Sequence, residues 1–131
     1  MQRHIVRPEG LAATSGYSHV AEFSGRLVAV SGQVAWDADG NVVGRDDVEA
    51  QARQVFANLG TALAAAGTDL GHVVKLTVFL TDIGDVATVR RVRNEFVDPA
   101  SPPASTLVQV VALVDPALKI EVEALAVVED A

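Results

Sequence analysis

The segment Leu118 to Val128 alternates so strictly that a strand over it has two chemically different faces. Side chains at i and i+2 of a strand share a face. Leu118, Ile120, Val122, Ala124 and Ala126 therefore make an aliphatic row, and Lys119, Glu121, Glu123, Leu125 and Val127 a half-polar one. Val73 to Leu80 divides the same way, with Val74, Leu76, Val78 and Leu80 opposing Val73, Lys75, Thr77 and Phe79, and Ser105 to Ala112 repeats the division. A sheet of such strands takes helices on its dry face and something other than bulk water on the other. The simplest cover for that second face is another copy of the chain, and a cleft lined by its polar groups is the first place to look for function.

The chain's 131 residues suffice for a single domain, spanning 1–131, that buries roughly two thirds of its unfolded surface. Half of the residues are hydrophobic and only 5% aromatic, a balance that favours self-association. The net charge of −7, with Arg90, Arg91 and Arg93 the only basic cluster, argues against a nucleic-acid partner. No apolar run reaches membrane-spanning length, and Met1 to Gly10 is too polar for a signal sequence, so a soluble, cytoplasmic protein without membrane contact is expected. With no cysteine, disulfides, thiolate chemistry and cysteine-based zinc sites are excluded.

Along the chain, Ile5 to Pro8 reads as a short edge strand, followed by a small-residue loop from Ala12 to Gly16 that ends at Tyr17. Strands His19–Phe23 and Leu27–Gln33 flank Ser24-Gly25, a dipeptide suited to a tight hairpin. Asp46 reads as a helix N-cap with Glu49 at capping-box spacing, and Val48, Ala52, Val55, Phe56, Leu59 and Leu63 recur at helical period. Gly67 supplies the stop. A second helix over Asp85 to Val97 carries Val86, Val89, Val92, Arg93 and Phe96 on one stripe, and Pro99, Pro102 and Pro103 follow it. Strands Ser105–Leu113 and Leu118–Val128 complete an α+β chain of about six strands in a mixed sheet, with both helices on the aliphatic face.

Glu121 and Glu123 are the first chemical candidates, because a carboxylate in a partly desolvated cleft can move protons; pairing with Lys75, Lys119 or solvent is the plain alternative. His4, His19 and His72 share no face, so no metal site is expected. Ser31 lacks the preceding glycine of a nucleophile elbow. Gly32, at the end of an apolar strand, admits a close backbone or ligand, or marks a bulge. Tyr17 offers a hydroxyl from a glycine-bearing loop, and Trp36 an apolar pocket floor; packing explains either equally well.

Taken together, Val30-Ser31-Gly32-Gln33, Glu49 to Val55, Val73 to Asp82, Pro102-Pro103-Ala104 and Ile120 to Ala124 resemble the reactive intermediate deaminase family, also called RidA or YjgF-like. The resemblance spans nearly the whole chain. It implies a chorismate-mutase-like protomer assembled as a homotrimer, with small-molecule clefts between subunits and no cofactor. Well-studied members hydrolyse enamines and imines, releasing ammonia and a 2-oxo acid. Carried over by position, Tyr17 is a ligand-adjacent tyrosine, Gly32 a glycine whose backbone meets the ligand, and Glu121 the carboxylate that handles water. Deaminating members place an arginine after the Pro-Ala step to clamp the substrate carboxylate as a bidentate pair. Here Ser105 and Thr106 follow Ala104, and Leu107 stands where many members carry cysteine.

Loss of such a clamp removes a charge-assisted contact of about 1.5–3 kcal/mol. Arg90 and Arg93 are candidates to replace it, with solvated helix arginines as the alternative. The leading expectation is an imine or enamine hydrolase for a substrate other than simple 2-imino acids. Glu121 would handle water, and Ser105, Thr106 and Tyr17 would supply hydrogen bonds. A non-catalytic metabolite-binding homotrimer is the alternative; a ribonuclease or translation inhibitor is disfavoured by the acidic charge.

Overall fold

The computed structural model describes residues 1–129. Its elements run β1 (Gln2–Ile5), β2 (Val20–Phe23), β3 (Arg26–Gln33), α1 (Val48–Ala65), β4 (Val73–Leu80), α2 (Val86–Arg93), β5 (Ala104–Gln109) and β6 (Ile120–Val128). The architecture is α+β with six strands, divided between a two-stranded β1-β2 ribbon and a four-stranded mixed sheet in the order β3-β6-β4-β5. Strand β6 pairs antiparallel with β3 and β4, whereas β4 and β5 run parallel.

The strand faces fall as their alternation predicts. Leu76, Val78 and Leu80 of β4 and Ile120, Val122, Ala124 and Ala126 of β6 are buried against Phe56, Leu59 and Leu63 of α1 and Val89 and Val92 of α2. Lys75, Thr77, Glu121 and Glu123 occupy the opposite, open face. Val73 and Val127, both on the half-polar rows, depart from the pattern and are buried. The pairing slips between Val73 and Lys75, so the end of the ladder turns relative to its middle.

Boundaries differ from the sequence expectations where tertiary partners decide. Ser24-Gly25 does not close a hairpin: β2 pairs with β1, and β3 with β6. Gly25 takes φ +127°, and a side chain there would lie 2.8 Å from the Val128 carbonyl oxygen, so this dipeptide passes the chain from one sheet to the other. The N-cap of α1 is Asp47, whose carboxylate accepts from the Ala50 amide at 3.1 Å; Asp46 adopts φ 59° just before it. The first strand lies at Gln2–Ile5 rather than Ile5–Pro8, because its ladder ends with Ile5 opposite Val20. Helix α2 closes at Arg93, where the hydrogen bonds tighten to Glu95 N–Val92 O and Phe96 N–Arg93 O. Strand β5 stops at Gln109 because β4, its neighbour, ends at Leu80. Gly67 does end α1: its amide bonds to Ala64 O and that of Thr68 to Leu63 O.

Two polar devices lock the helical layer. Gln51, fully buried on α1, donates to Gly44 O (3.0 Å) and Ala117 O (2.8 Å) and accepts from the Lys119 amide (2.7 Å). It thereby ties the entry to α1 and the β5-β6 connection to one side chain. Replacing it with leucine leaves those backbone groups without their partner, and we expect a loss of about 2–4 kcal/mol, seen as a lower urea midpoint at unchanged m-value. At the surface, Glu49 bonds to Arg91 and Arg53, and Arg53 also bonds to Glu95. Hydrogen bonds from Arg91 first, and Arg53 second, hold the Glu49 carboxyl below the usual carboxylate range. A depressed folded-state pKa stabilises above the unfolded value and loses that effect as pH falls through the folded one. Glu49→Gln should therefore reduce stability at neutral pH and flatten its decline on acidification, as followed by thermal melts across that range.

Candidate functional site

Loop residues 12–18 reach the sheet because Ser18, almost completely buried, fastens to the segment leading into β5. Its amide donates to Pro103 O at 3.0 Å and its hydroxyl to Pro102 O at 2.6 Å, and it bridges Ala104 in parallel. Prolines lack an amide of their own to offer, so the loop supplies the donors here. His4 also bonds to Pro102 O, at 2.8 Å. Tyr17 is thereby held beside β5, with His19 edge-on to its ring at 5.9 Å.

Between this loop, β5 and α2 lies a cavity of about 460 Å³ lined by Tyr17, Ser105, Thr106, Leu107, Arg90 and Arg93, with Phe56, Val78 and Val89 among its apolar walls. Ser105 and Leu107 pair with Leu76 and Val78, so they share the helix side of the sheet. Arg93 is only 6% exposed. It donates to Ser15 O at 3.2 Å and to the side-chain oxygen of Asn94 at 3.2 and 3.3 Å. Burial first, and Arg90 beside it second, pull the Arg93 guanidinium below the ordinary arginine range. Gly16 makes room for it: at φ +79°, a side chain there would come within 3.1 Å of Arg93 Cζ.

Gly32 and Glu121 meet elsewhere. The β3-β6 register shifts between Val30 and Gln33, and a side chain on Gly32 would lie 2.8 Å from Glu121 Cδ. Gly32 thus sits in an irregularity of the ladder, as its bulge reading expects, and the group that comes close to it is a side-chain carboxylate of the same chain rather than a backbone or a ligand. Glu121 and Glu123 make no hydrogen bond or ion pair among the described residues, and Lys75 donates instead to the Thr106 hydroxyl at 2.6 Å. The ion pairing weighed for these glutamates is not what forms. Glu123 lines a shallow depression with Ser31, Lys75 and Thr77 on the open face. Trp36 stands apart from Tyr17, in a groove with Gly32, Gln33, Gln54 and Asn58.

The residues singled out by sequence thus form two groups within one protomer. Tyr17, Ser105, Leu107, Arg90 and Arg93 surround the cavity on the helix side; Thr106 also borders it but, opposite Thr77, turns its hydroxyl to Lys75 on the open face, where Glu121 and Gly32 lie two and three strands from β5. Ser15, Gly16 and Ser18, which position Tyr17 and Arg93, were not singled out; the small residues of that loop were their only signal. Among the described residues no group of three His, Asp or Glu side chains is arranged to hold a metal ion, and no helix is long and apolar enough to cross a membrane.

A mixed sheet carrying two helices on one face, with a cavity at its β5 edge, is the architecture of a known group of small proteins. The family described as endoribonuclease L-PSP matches residues 7–128, and the chain belongs to this family, the RidA/YjgF-like proteins. It is 41% identical over 116 residues to Protein DfrA of Myxococcus xanthus, covering 88% of this chain and 87% of that one. To the 2-iminobutanoate/2-iminopropanoate deaminase of Salmonella typhimurium it is 37% identical over 129 residues, covering 97% and 98%. Among solved structures, the Rid-family protein YyfB of Yersinia pestis, of unknown function, superposes with a TM-score of 0.86 at 36% identity, covering 97% and 98%. Escherichia coli TdcF with bound serine gives 0.72 at 32% identity, covering 97% and 100%. The chorismate-mutase-like fold expected from the motifs is therefore the fold observed.

The Gly32–Glu121 contact is open to direct measurement. Gly32→Ala should displace the Glu121 carboxylate and, because the group that must move is the end of a flexible, unpaired side chain, change stability by no more than about 0.5 kcal/mol in urea titrations; a loss of several times that would show that the carboxylate is held in place.

Proposed function

We propose that this protein is a cofactor-independent hydrolase of imines or enamines, working in the cytoplasm as a homotrimer, at clefts between subunits, on a substrate other than simple 2-imino acids. The observation that carries this reading is the separation of Glu121 and Gly32 from the Tyr17–Ser105 cavity on opposite faces of one sheet. Neither half is a complete site. Apposition of the open face of one copy to the β5 edge of the next would join them, and would cover Leu27, which is 55% exposed on that face. The full-length relatives named as iminobutanoate/iminopropanoate deaminases support the reaction type.

In this reading, Glu121 accepts a proton from water as the water oxygen attacks the carbon of the protonated C=N bond, giving a neutral carbinolamine. Glu121 returns that proton to the nitrogen, and as the C–N bond breaks to release ammonia the hydroxyl proton passes to the Glu121 carboxylate and the carbonyl forms. Glu121 suits the base role because no cation of its own chain neutralises it among the described residues. Tyr17 and Ser105 offer hydroxyls to orient the substrate. Ser105 on β5 provides no guanidinium, which is why a carboxylate bonded directly to the imine carbon is a poor fit at that strand.

Imines generated in situ by an amine oxidase from primary amines, both neutral ones and ones carrying a carboxylate remote from the nitrogen, give the test. The protein should accelerate ammonia release from at least one, and Glu121→Gln should lower that rate by roughly 10²-fold or more. No acceleration across the panel, or a fully active Glu121→Gln variant, would overturn the assignment. Sedimentation should give a trimer at micromolar concentration. A second reading, a metabolite-binding trimer without turnover, draws on the apolar walls of the cavity and on the serine-bound TdcF relative. It predicts ligand-dependent thermal stabilisation with no product. The ribonuclease activity in the family's description has little support in a chain of net charge −7.

A further inference from the structure

Helix α2 ends in Arg90, Arg91 and Arg93, and cations are ordinary in a last helical turn. The three nevertheless have different surroundings. Arg91 pairs with Glu49 at 2.8 Å on the exposed side. Arg93 is buried, and every acceptor it has is uncharged: the Ser15 carbonyl and the Asn94 amide oxygen. Its Nη1 donates to no protein group among the described residues, and its side chain lines the cavity together with Arg90. Arg90 likewise has no carboxylate within ion-pair distance among the described residues.

A buried guanidinium without a countercharge is a costly arrangement, and a second cation beside it makes it costlier. In a chain of net charge −7, acidic residues abound, yet none lines this cavity. The pair is thus electrostatically incomplete in the protein alone. The rest of the lining sets the shape of what completes it: Phe56, Val78, Val86, Val89 and Leu107 are hydrocarbon, and Tyr17 and Ser105 add two hydroxyls.

We propose that Arg93, assisted by Arg90, is an anion clamp delivered from helix α2 rather than from strand β5, and that the cavity takes a monocarboxylate bearing a branched or aromatic hydrocarbon tail. A planar carboxylate matches the fork of a guanidinium, and apolar walls disfavour a multiply charged, strongly hydrated anion. The inference rests on the hydrolase reading only in taking this cavity as the substrate half of the cleft. It narrows that reading to substrates whose carboxylate stands away from the reacting C=N bond, toward α2.

Calorimetric titration of the full-length protein with 4-methylpentanoate, 4-methylpentanamide and inorganic phosphate tests it without any turnover. The carboxylate should bind at least tenfold more tightly than the amide or phosphate. Arg93→Gln and Arg90→Gln should each weaken it tenfold or more, while Arg91→Gln on the same helix leaves it unchanged. Should Arg93→Gln fail to fold, Arg90→Gln decides alone, with Arg93→Lys retaining partial binding. Equal affinity for acid and amide, preference for phosphate, no carboxylate binding at millimolar concentration, or unaltered binding in Arg90→Gln would each overturn the proposal. Arginine-dependent binding without ammonia release from any imine would sink the hydrolase reading and leave the clamp intact; the reverse result would do the opposite.

Discussion

Everything in this molecule is referred to β6, the one strand of the larger sheet that pairs antiparallel on both sides. Once β6 is in place, a shift of one residue would carry Ile120, Val122 and Ala124 onto the polar face and put Glu121 and Glu123 against Phe56 and Leu59, so its register is strongly determined. β3 and β4 take their positions from it, β5 from β4, and the helices from the dry face so created. Gln51 then binds the approach to β6 to the first turn of α1 through the Ala117 carbonyl and the Lys119 amide. The hydrophobic layer and the loop that feeds it are fastened by one buried amide.

Period-two alternation made the faces of β4 and β6 legible, since burial of one face selects side chains directly. Helix α1 was legible for the same reason at period 3.6, and the position of Arg93 on the apolar stripe of α2 was visible before its burial was. What sequence could not supply was pairing. Ser24-Gly25 says where the chain bends, but not that β3 turns away from β2 to meet β6. The contact between Glu121 and Gly32 depends on that same long-range pairing. The cap of α1 lay one residue from its expected place because Asp46 and Asp47 are chemically equivalent caps, and backbone geometry after Gly44 chose between them.

The distribution of the candidate residues follows from the position of β5 at the sheet edge. An edge strand shares one side with a neighbour and leaves the other for a loop, here the one carrying Tyr17, and α2 covers the end. Arg93 joins these parts: its donors hold the loop at Ser15 while its remaining face lines the space between them. Positive charge is concentrated there although the chain as a whole is acidic.

Finally, consider the way in which β5 begins. Pro102 and Pro103 present carbonyls that Ser18 and His4 occupy, and these main-chain ties hold the strand before any side chain of β5 is specified. The direction in which residue 105 projects is consequently independent of what residue 105 is. A side chain at that position can be exchanged while the main-chain ties that begin the strand stay in place, so the cavity wall at residue 105 can be altered without disturbing how β5 is anchored.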